Sequence, residues 1–349
     1  MHTTENIMGL NGFEFVEFTG PNPVEMGRQL EALGFVPASH HPEKDIVRYK
    51  QGHINFLLNR VAVGQAATFR AAHGASANGM AFRVADAGAA YDLALANGAR
   101  PADARSGALG EGSHVLQGIG GSLLYLVDHD VYADWDAIPG AAQAETVNSV
   151  GFGIVDHLTH NVRRGEMRTW SSFYHQVFGF EEQKYFDIKG QATGLFSQAM
   201  IAPDGAIRIP LNESQDDTSQ IEEFLRQYNG EGIQHIALTT DDIFATVEKL
   251  RARGVKLQDT IDTYYDLVDT RVPGHGEDLE RLRKNRILID GAVGDEGLLL
   301  QIFTETTFGP IFFEIIQRKG NQGFGNGNFQ ALFESIELDQ IRRGVIKVA

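Results

Sequence analysis

The feature that most constrains the fold of this chain is a faint internal repeat. The stretch "GMAFRVADAGAAYDLALANGARP" from Gly79 and the stretch "HIALTTDDIFATVEKLRARGVKL" from His235 align without a gap. Each reads as an apolar strand, an aspartate where a helix would start and a glycine where that helix would end. A looser pair begins at Gly12 and at Phe152, so the pattern predicts four units of one design along the 349 residues.

The residue pattern of each unit predicts one strand, one crossing helix and then further extended segments rich in β-branched or aromatic residues. This βαβββ plan indicates an α+β fold rather than a doubly wound α/β sheet. Residues 136–148 are small and polar, as in a linker between two halves. The sequence therefore predicts one domain at residues 1–148 and a second domain at residues 149–349.

Charge and composition exclude several classes of function. With 30 basic and 46 acidic residues the net charge is −16, which argues against binding to nucleic acid or to an anionic membrane. No cysteine occurs, so any bound metal must be held by nitrogen and oxygen atoms. No apolar run approaches the roughly 18 residues of a membrane span. We expect a cytoplasmic protein whose partner is a small molecule or another protein.

Two of the twelve histidines stand out, because His157 and His235 each lie in the opening strand of a unit among apolar residues. Glu314 places a carboxylate in the apolar strand "IFFEII", where an unpaired charge would be very costly to bury. Two imidazoles and one carboxylate are the donor set of many Fe(II) sites, although catalytic zinc also uses such ligands. His160 lies three residues after His157, hence on the opposite strand face, so only one of the two is expected to be a ligand. His157 lies deeper in the apolar run, and His160 is expected to have a structural role or to support a ligand.

The N-terminal half serves as a control for this metal site. The positions that align with the three candidate ligands, to within a residue or two in the first unit, are Glu17, Gly79 and about Tyr125. These residues cannot form the same donor set. The sequence therefore predicts one metal ion per chain, in the C-terminal half.

The C-terminal region contains three further features. Residues 264–285 predict an insertion or long loop in the last unit, and the apolar spacing from Phe329 to Arg343 predicts an amphipathic helix. The loop "GNQGFGNGNF" does not match a dinucleotide-binding GxGxxG motif and predicts a closing loop instead. Amides also cluster near the candidate ligands, and those within strands are expected to hydrogen-bond a buried group: Gln234 and Gln301.

Five motifs together resemble the 4-hydroxyphenylpyruvate dioxygenase family, in order and over essentially the whole chain. They are "VDHLTHNV", "GIQHIALTTDDI", "LLLQIFTE", "FFEIIQRKG" and "GFGNGNFQALFESIE". The resemblance implies the vicinal-oxygen-chelate fold, with four βαβββ modules in two open-barrel domains. It implies a structural N-terminal domain and a catalytic C-terminal domain whose last helix gates the pocket.

The resemblance also implies roles for individual residues. The iron ligands of the family correspond to His157, His235 and Glu314. Its substrate pocket corresponds to polar residues and an aromatic wall: Ser197, Asn212, Gln220, Gln234, Gln301, Phe303, Phe312, Phe324, Asn328 and Phe329. No catalytic residue is expected beyond the metal ligands.

The implied reaction converts 4-hydroxyphenylpyruvate and O₂ to homogentisate and CO₂ with one Fe(II) per chain, in a homo-oligomer such as a dimer or tetramer. The closest alternative is 4-hydroxymandelate synthase, which has the same fold, metal and substrate but hydroxylates the benzylic carbon. A metal-dependent isomerase or lyase of this fold is a more distant alternative. A non-catalytic binding protein would have no need for a buried His/His/Glu set.

Overall fold

The computed structural model describes residues 5–189, 193–294, 296–325, 327, 328, 330, 340, 341, 343 and 344. Within these residues the chain forms two eight-stranded sheets, one in each half. Most of the predicted helix from Phe329 to Arg343 lies outside the described residues, as does Phe329 itself. None of the described helices is long and apolar enough to cross a membrane.

The sheet of the N-terminal half has the strand order β6-β7-β5-β1-β4-β3-β2-β8. Its strands are β1 (Phe13–Thr19), β2 (Val36–His40), β3 (Ile46–Gln51), β4 (Ile54–Asn59), β5 (Ser76–Arg83), β6 (His114–Gln117), β7 (Leu123–Val127) and β8 (Asp136–Ala137). The α-helices of this half are α1 (Pro23–Ala32), α2 (Gly64–His73), α3 (Ala87–Ala96) and α4 (Ala141–Asn148).

The sheet of the C-terminal half has the strand order β10-β11-β12-β9-β13-β16-β15-β14. Its strands are β9 (Phe152–Val162), β10 (Glu181–Lys189), β11 (Gly194–Ile201), β12 (Arg208–Ser214), β13 (Gly232–Thr240), β14 (Leu288–Ala292), β15 (Gly297–Phe303) and β16 (Phe312–Lys319). The helices are α5 (Met167–Phe178), α6 (Gln220–Tyr228), α7 (Ile243–Ala252), α8 (Asp262–Asp266), α9 (Val268–Arg271) and α10 (Leu279–Asn285).

The two sheets share one pairing scheme, which confirms the predicted α+β repeat. In each half the opening strands of the two units pair antiparallel at the centre, β1 with β5 and β9 with β13. Each opening strand also pairs in parallel with the last strand of its own unit, β4, β7, β12 or β16.

The structure adds detail to the predicted βαβββ plan and departs from it in the second unit. The second unit has only two strands after its helix, and the N-terminal sheet gains its eighth strand from β8 beside β2. The predicted linker 136–148 contains that short strand and helix α4, so it is more ordered than its composition suggests. The predicted insertion is folded into the short helices α8, α9 and α10.

The repeated aspartates and glycines act as the helix ends that the sequence predicts. Asp86 accepts a hydrogen bond from the Ala89 amide at 2.8 Å at the start of α3. Asp242 accepts the equivalent hydrogen bond from the Ala245 amide at 3.0 Å at the start of α7. Gly98 and Gly254 follow these helices at φ values of 96° and 80°, a region that side chains disfavour.

Aromatic side chains join the two halves into a continuous apolar core. Phe313 of β16 is fully buried, and its ring centroid lies 6.5 Å from Phe18 and 6.0 Å from Phe56 in the N-terminal half. Phe308 adds a contact of 5.0 Å with Phe18. The strand that carries Glu314 is therefore held in place by packing against the opposite half.

We expect Phe313→Ala to lower the free energy of unfolding by about 3–5 kcal/mol, because it leaves a cavity in a fully buried aromatic cluster. Phe196→Ala is the matched control, since Phe196 is only partly buried and stacks on the exposed Tyr185. Urea denaturation measures both variants. An equal loss in the two would contradict the role of Phe313 in joining the halves.

Candidate metal centre

Three buried side chains from adjacent strands converge at the centre of the C-terminal sheet. His157 lies on β9, His235 on β13 and Glu314 on β16, and each is at most 5% exposed. Glu314 Oε2 lies 3.1 Å from His157 Nε2 and 3.4 Å from His235 Nε2. Among the described residues these three form the group that could hold a metal ion, with ligand atoms within 4.8 Å of one another. Such spacings match neighbouring ligands about 2.1 Å from one divalent ion.

Each histidine directly follows an extra residue that interrupts the regular pairing of β9 with β13. His157 pairs with Ala237, but Val155 pairs with Leu238, so Asp156 is an extra residue on β9. Gln234 is likewise the extra residue on β13. A β-bulge re-aims side chains, and here both extra residues contact the histidine beside them.

Those two side chains fix which histidine nitrogen faces the site. His157 Nδ1 donates to Asp156 Oδ1 at 2.9 Å, and His235 Nδ1 donates to Gln234 Oε1 at 3.0 Å. Both Nε2 atoms are therefore unprotonated in the neutral imidazoles and available as ligands. Hydrogen bonds of this kind are characteristic supports of metal-ligating histidine.

The carboxylate ligand has an equivalent support. Gln301 Nε2 donates to Glu314 Oε1 at 2.6 Å, which leaves Oε2 directed at the histidines. Gln301 Oε1 accepts from Asn328 Nδ2 at 2.8 Å, and Tyr264 donates to Asn328 Oδ1 at 2.9 Å. This series of hydrogen bonds connects the insertion helix α8 to a candidate metal ligand.

The electrostatics of the cluster favour a bound cation. Burial by itself would raise the pKa of Glu314, but His157 and, to a smaller extent, His235 together outweigh burial and lower this pKa to about 2. Burial opposes the charged form of His157, yet Glu314 and Asp156 raise its pKa to about 9. Burial lowers the pKa of His235. Without a metal, a proton on His157 balances the negative charge of Glu314. With a metal bound, the dication would balance that charge instead.

His160 is placed as the face argument predicts. It lies on the other side of β9, where its Nε2 is 2.7 Å from the hydroxyl oxygen of Tyr174 on α5. Burial lowers the pKa of His160 to about 3, so this imidazole is a neutral core residue.

A pocket that is partly open to solvent adjoins the three candidate ligands. Five of the predicted substrate residues lie in its wall: Ser197, Asn212, Gln301, Phe303 and Phe324. Four further lining residues were not predicted from the sequence: Thr159, Phe186, Ala199 and Pro210. Of these, Thr159 could have been found, because it lies two residues after His157 on the same strand face.

Four other predicted pocket residues that the structure describes are not in this wall: Gln220, Gln234, Phe312 and Asn328. Gln234 contacts His235 and Asn328 contacts Gln301, as described above. Phe312 stacks on the His235 ring with centroids 4.9 Å apart. Gln220 is the first residue of α6. Phe329 lies outside the described residues.

Strand register corrects one of the N-terminal correspondences. In the parallel strand pairs, Gly79 lies opposite Leu123 and Ala81 lies opposite Tyr125. His235 lies opposite Phe312 and Ala237 opposite Glu314 in the same way. Gly79 and Tyr125 are therefore the counterparts of His235 and Glu314. On the opening strand, however, Ala81 pairs with Phe15 as Ala237 pairs with His157. The counterpart of His157 is therefore Phe15, and Glu17 corresponds to Thr159. The sequence alignment of the first unit was therefore two residues off.

Glu17 fills the interior of the N-terminal sheet with its own partners. Its Oε1 accepts from Asn59 and from Asn78, both at 2.7 Å, and its Oε2 accepts from the Tyr125 hydroxyl at 2.9 Å. Phe15, Gly79 and Tyr125 offer no imidazole or carboxylate at the three ligand positions. This supports a division in which the C-terminal half holds the metal.

In the comparisons with known proteins, a different family model matches each half of the chain. The model for the N-terminal domain of hydroxyphenylpyruvate dioxygenase matches residues 4–140, and the glyoxalase/bleomycin resistance protein/dioxygenase superfamily model matches residues 154–268. The 4-hydroxyphenylpyruvate dioxygenase of Pseudomonas aeruginosa is 58% identical and covers 98% of this chain and 97% of its own length. The chain belongs to the 4-hydroxyphenylpyruvate dioxygenase family. The Legionella pneumophila (strain Corby) dioxygenase of this family is 51% identical over 98% of both chains.

A mutant of 4-hydroxymandelate synthase from Streptomyces coelicolor has a similar structure. The TM-score is 0.83 at 26% identity, over 95% of this chain and 100% of that chain. Its much lower identity favours the dioxygenase family over the synthase. These comparisons confirm the resemblance and the vicinal-oxygen-chelate fold that the motifs imply.

We expect Glu17 to make folding stability depend on pH. Burial raises its pKa above the ordinary value of 4.5, and the hydrogen bonds offset this only in part. The native state therefore binds this proton more tightly than the unfolded state. Its contribution is present below pH 4.5 and is lost as pH rises through the raised pKa. Relative to Glu17→Gln, the wild-type free energy of unfolding should fall between pH 4 and pH 8.

Urea denaturation across this pH range tests the prediction. Glu25→Gln is the control, since the Glu25 side chain is 49% exposed. A wild-type minus Glu17→Gln difference that is constant with pH would contradict the prediction.

Proposed function

We propose that this chain converts 4-hydroxyphenylpyruvate and O₂ to homogentisate and CO₂ with one Fe(II) held by His157, His235 and Glu314. The reaction is that of the family to which the chain belongs. The observation that carries the iron assignment is the convergence of two imidazole nitrogens and one carboxylate oxygen within 4.8 Å of one another. We also propose that residues 149–349 are the catalytic domain and residues 1–148 the structural domain.

The donor set suits Fe(II) on chemical grounds. Two neutral imidazoles and a carboxylate are a donor set typical of Fe(II) oxygenases, and they would leave the ion free to bind a keto acid and O₂. A dication with one carboxylate has a net charge of +1, which matches the single negative charge of the substrate. None of the described residues that line the pocket is Lys or Arg, so a metal held by His157, His235 and Glu314 would supply the positive charge that attracts the substrate carboxylate.

When bound, Fe(II) supplies the oxygen activation that no amino-acid side chain can perform. The protein positions and shields the reactants. Gln301 holds the carboxylate ligand, and Gln234 holds the His235 ring through its Nδ1. Phe303 and Phe324 line the pocket with apolar surface that excludes water from the aromatic ring of the substrate.

Polar groups on β9, β11 and β12 form a second binding region. Asn212 pairs with Ser197 on one side and with Asn161 on the other, so these side chains share one row across the sheet. Several buried polar atoms in this region have no hydrogen-bond partner within the part of the chain that the structure describes: Thr159 Oγ1, Asn161 Oδ1, Asn161 Nδ2 and Asn212 Oδ1. Orphaned buried groups are rare, and we assign this row to the ring hydroxyl of the substrate.

The remaining sequence-based assignments keep narrower roles. Gln234 acts on the substrate through His235, and Asn328 acts through Gln301, which supports Glu314. Phe312 fixes the His235 ring by stacking on it. Substrate contacts by Gln220 and Phe329, the gating helix, a homo-oligomeric state and a cytoplasmic location stay predictions.

The iron assignment predicts different effects for two neighbouring histidines. His157→Gln should lower the affinity for Fe(II) or Co(II) at least about 100-fold, since it removes a direct ligand. His160→Gln should retain close to one metal ion per chain and lose mainly stability. Chelator competition and metal analysis after anaerobic reconstitution measure both. Equal loss of metal in both variants, or two ions per wild-type chain, would refute the assignment.

If Asn212 binds the ring hydroxyl, Asn212→Leu should weaken the binding of 4-hydroxyphenylpyruvate but not that of phenylpyruvate. Loss of one hydrogen bond to the ring hydroxyl should raise KM for 4-hydroxyphenylpyruvate about tenfold. KM for phenylpyruvate, which lacks that hydroxyl, should change little. Gln198→Leu is the control, since Gln198 bonds the exposed Glu182 instead. Equal changes for both substrates would remove Asn212 from the proposal, and product analysis would distinguish homogentisate from hydroxymandelate.

A further inference from the structure

Arg318 lies beside the metal site without contacting the candidate ligands themselves. It follows Glu314 by four residues on β16 and therefore lies on the same face of that strand. Its side chain is 11% exposed. The guanidinium binds both oxygens of Asp156, from Nε at 2.7 Å and from Nη2 at 2.8 Å. This bidentate pair holds the carboxylate that in turn orients His157.

The same guanidinium also binds the loop after β16. Nη1 of Arg318 donates to the backbone carbonyl of Asn321 at 3.1 Å and to that of Gly323 at 2.6 Å. The next residue, Phe324, lines the pocket and packs against the His157 ring with centroids 5.5 Å apart. One side chain therefore contacts both the support of a metal ligand and the loop that covers it.

We propose that Arg318 is a positioning residue that makes the orientation of His157 and the seating of Phe324 depend on each other. The proposal rests on the metal assignment above. Arginine suits this role because its planar fork directs several N–H donors in fixed directions, whereas lysine offers one compact ammonium group. With Asp156 and the loop held by the same group, displacement of either partner disturbs the other.

Neighbouring cations provide comparisons. Arg208 on β12 also approaches Asp156, at 3.5 Å from Nη1 to Oδ2, and its Nη2 donates to the Gln322 side chain at 3.0 Å. Among the described contacts it binds no backbone carbonyl of the loop. Lys319 is exposed and pairs with Glu277, so Lys319→Met removes an adjacent positive charge without affecting either partner of Arg318.

The experiment measures metal affinity and loop protection in the full-length chain. Co(II) affinity is obtained by chelator competition, and amide hydrogen exchange of residues 320–325 is followed by mass spectrometry with and without Co(II). In wild-type protein, Co(II) should slow exchange in this loop, because coupling between two sites is reciprocal. Arg318→Lys should lower Co(II) affinity 10–100-fold and abolish the protection of the loop by metal.

Lys319→Met should match the wild type in both measurements, and Arg208→Met should have an intermediate effect on affinity while it retains metal-dependent protection. A merely structural Arg318 predicts a lower melting temperature with unchanged Co(II) affinity and retained protection, and that result would overturn the proposal. If Arg318→Lys does not fold, the wild-type measurement decides: tight Co(II) binding without loop protection rejects the coupling. Failure of the wild type to bind Co(II) would instead reject the metal assignment.

Discussion

The buried carboxylate of Glu314 is the constraint on which the C-terminal half depends. It is 2% exposed in a strand of large apolar residues, where a lone charge would strongly oppose folding. His157 and His235 lie within 3.4 Å of one of its oxygens, and Gln301 binds the other. The strand order places these partners side by side, and aromatic packing against the N-terminal half holds the strand in position. The negative charge of Glu314 is balanced only when a cation or a proton lies beside the carboxylate.

Support for this cluster comes from irregularities in the central strand pair. The bulge residues Asp156 and Gln234 each bind Nδ1 of the histidine that follows, so both imidazoles present Nε2 to the same point. A regular strand would direct these residues away from their histidines, because successive side chains alternate between faces. The bulges thus allow a ligand and its support to be neighbours in sequence. Arg318 extends this support to the loop that carries Phe324.

The two halves show how one architecture provides both a site and a filled core. Thr159 lines the pocket in the C-terminal half, whereas its counterpart Glu17 extends into the sheet interior and binds Asn59, Asn78 and Tyr125. Phe15, Gly79 and Tyr125 replace the ligand set. The N-terminal half therefore retains the fold and its buried polar centre but has no donors for a metal at those positions.

The sequence by itself determined the repeated design, the α+β class and the three residues that converge at the candidate metal centre. These could be predicted because helix caps recur at fixed spacing, and because His157, His235 and Glu314 are polar residues within apolar strands. Only the tertiary structure decided the bulges, the Phe15 correspondence, the pocket positions of Phe186 and Pro210, and the Asp156–Arg318 pair. A single extra residue reverses the facing of a strand, and contacts between residues 162 positions apart leave no local pattern.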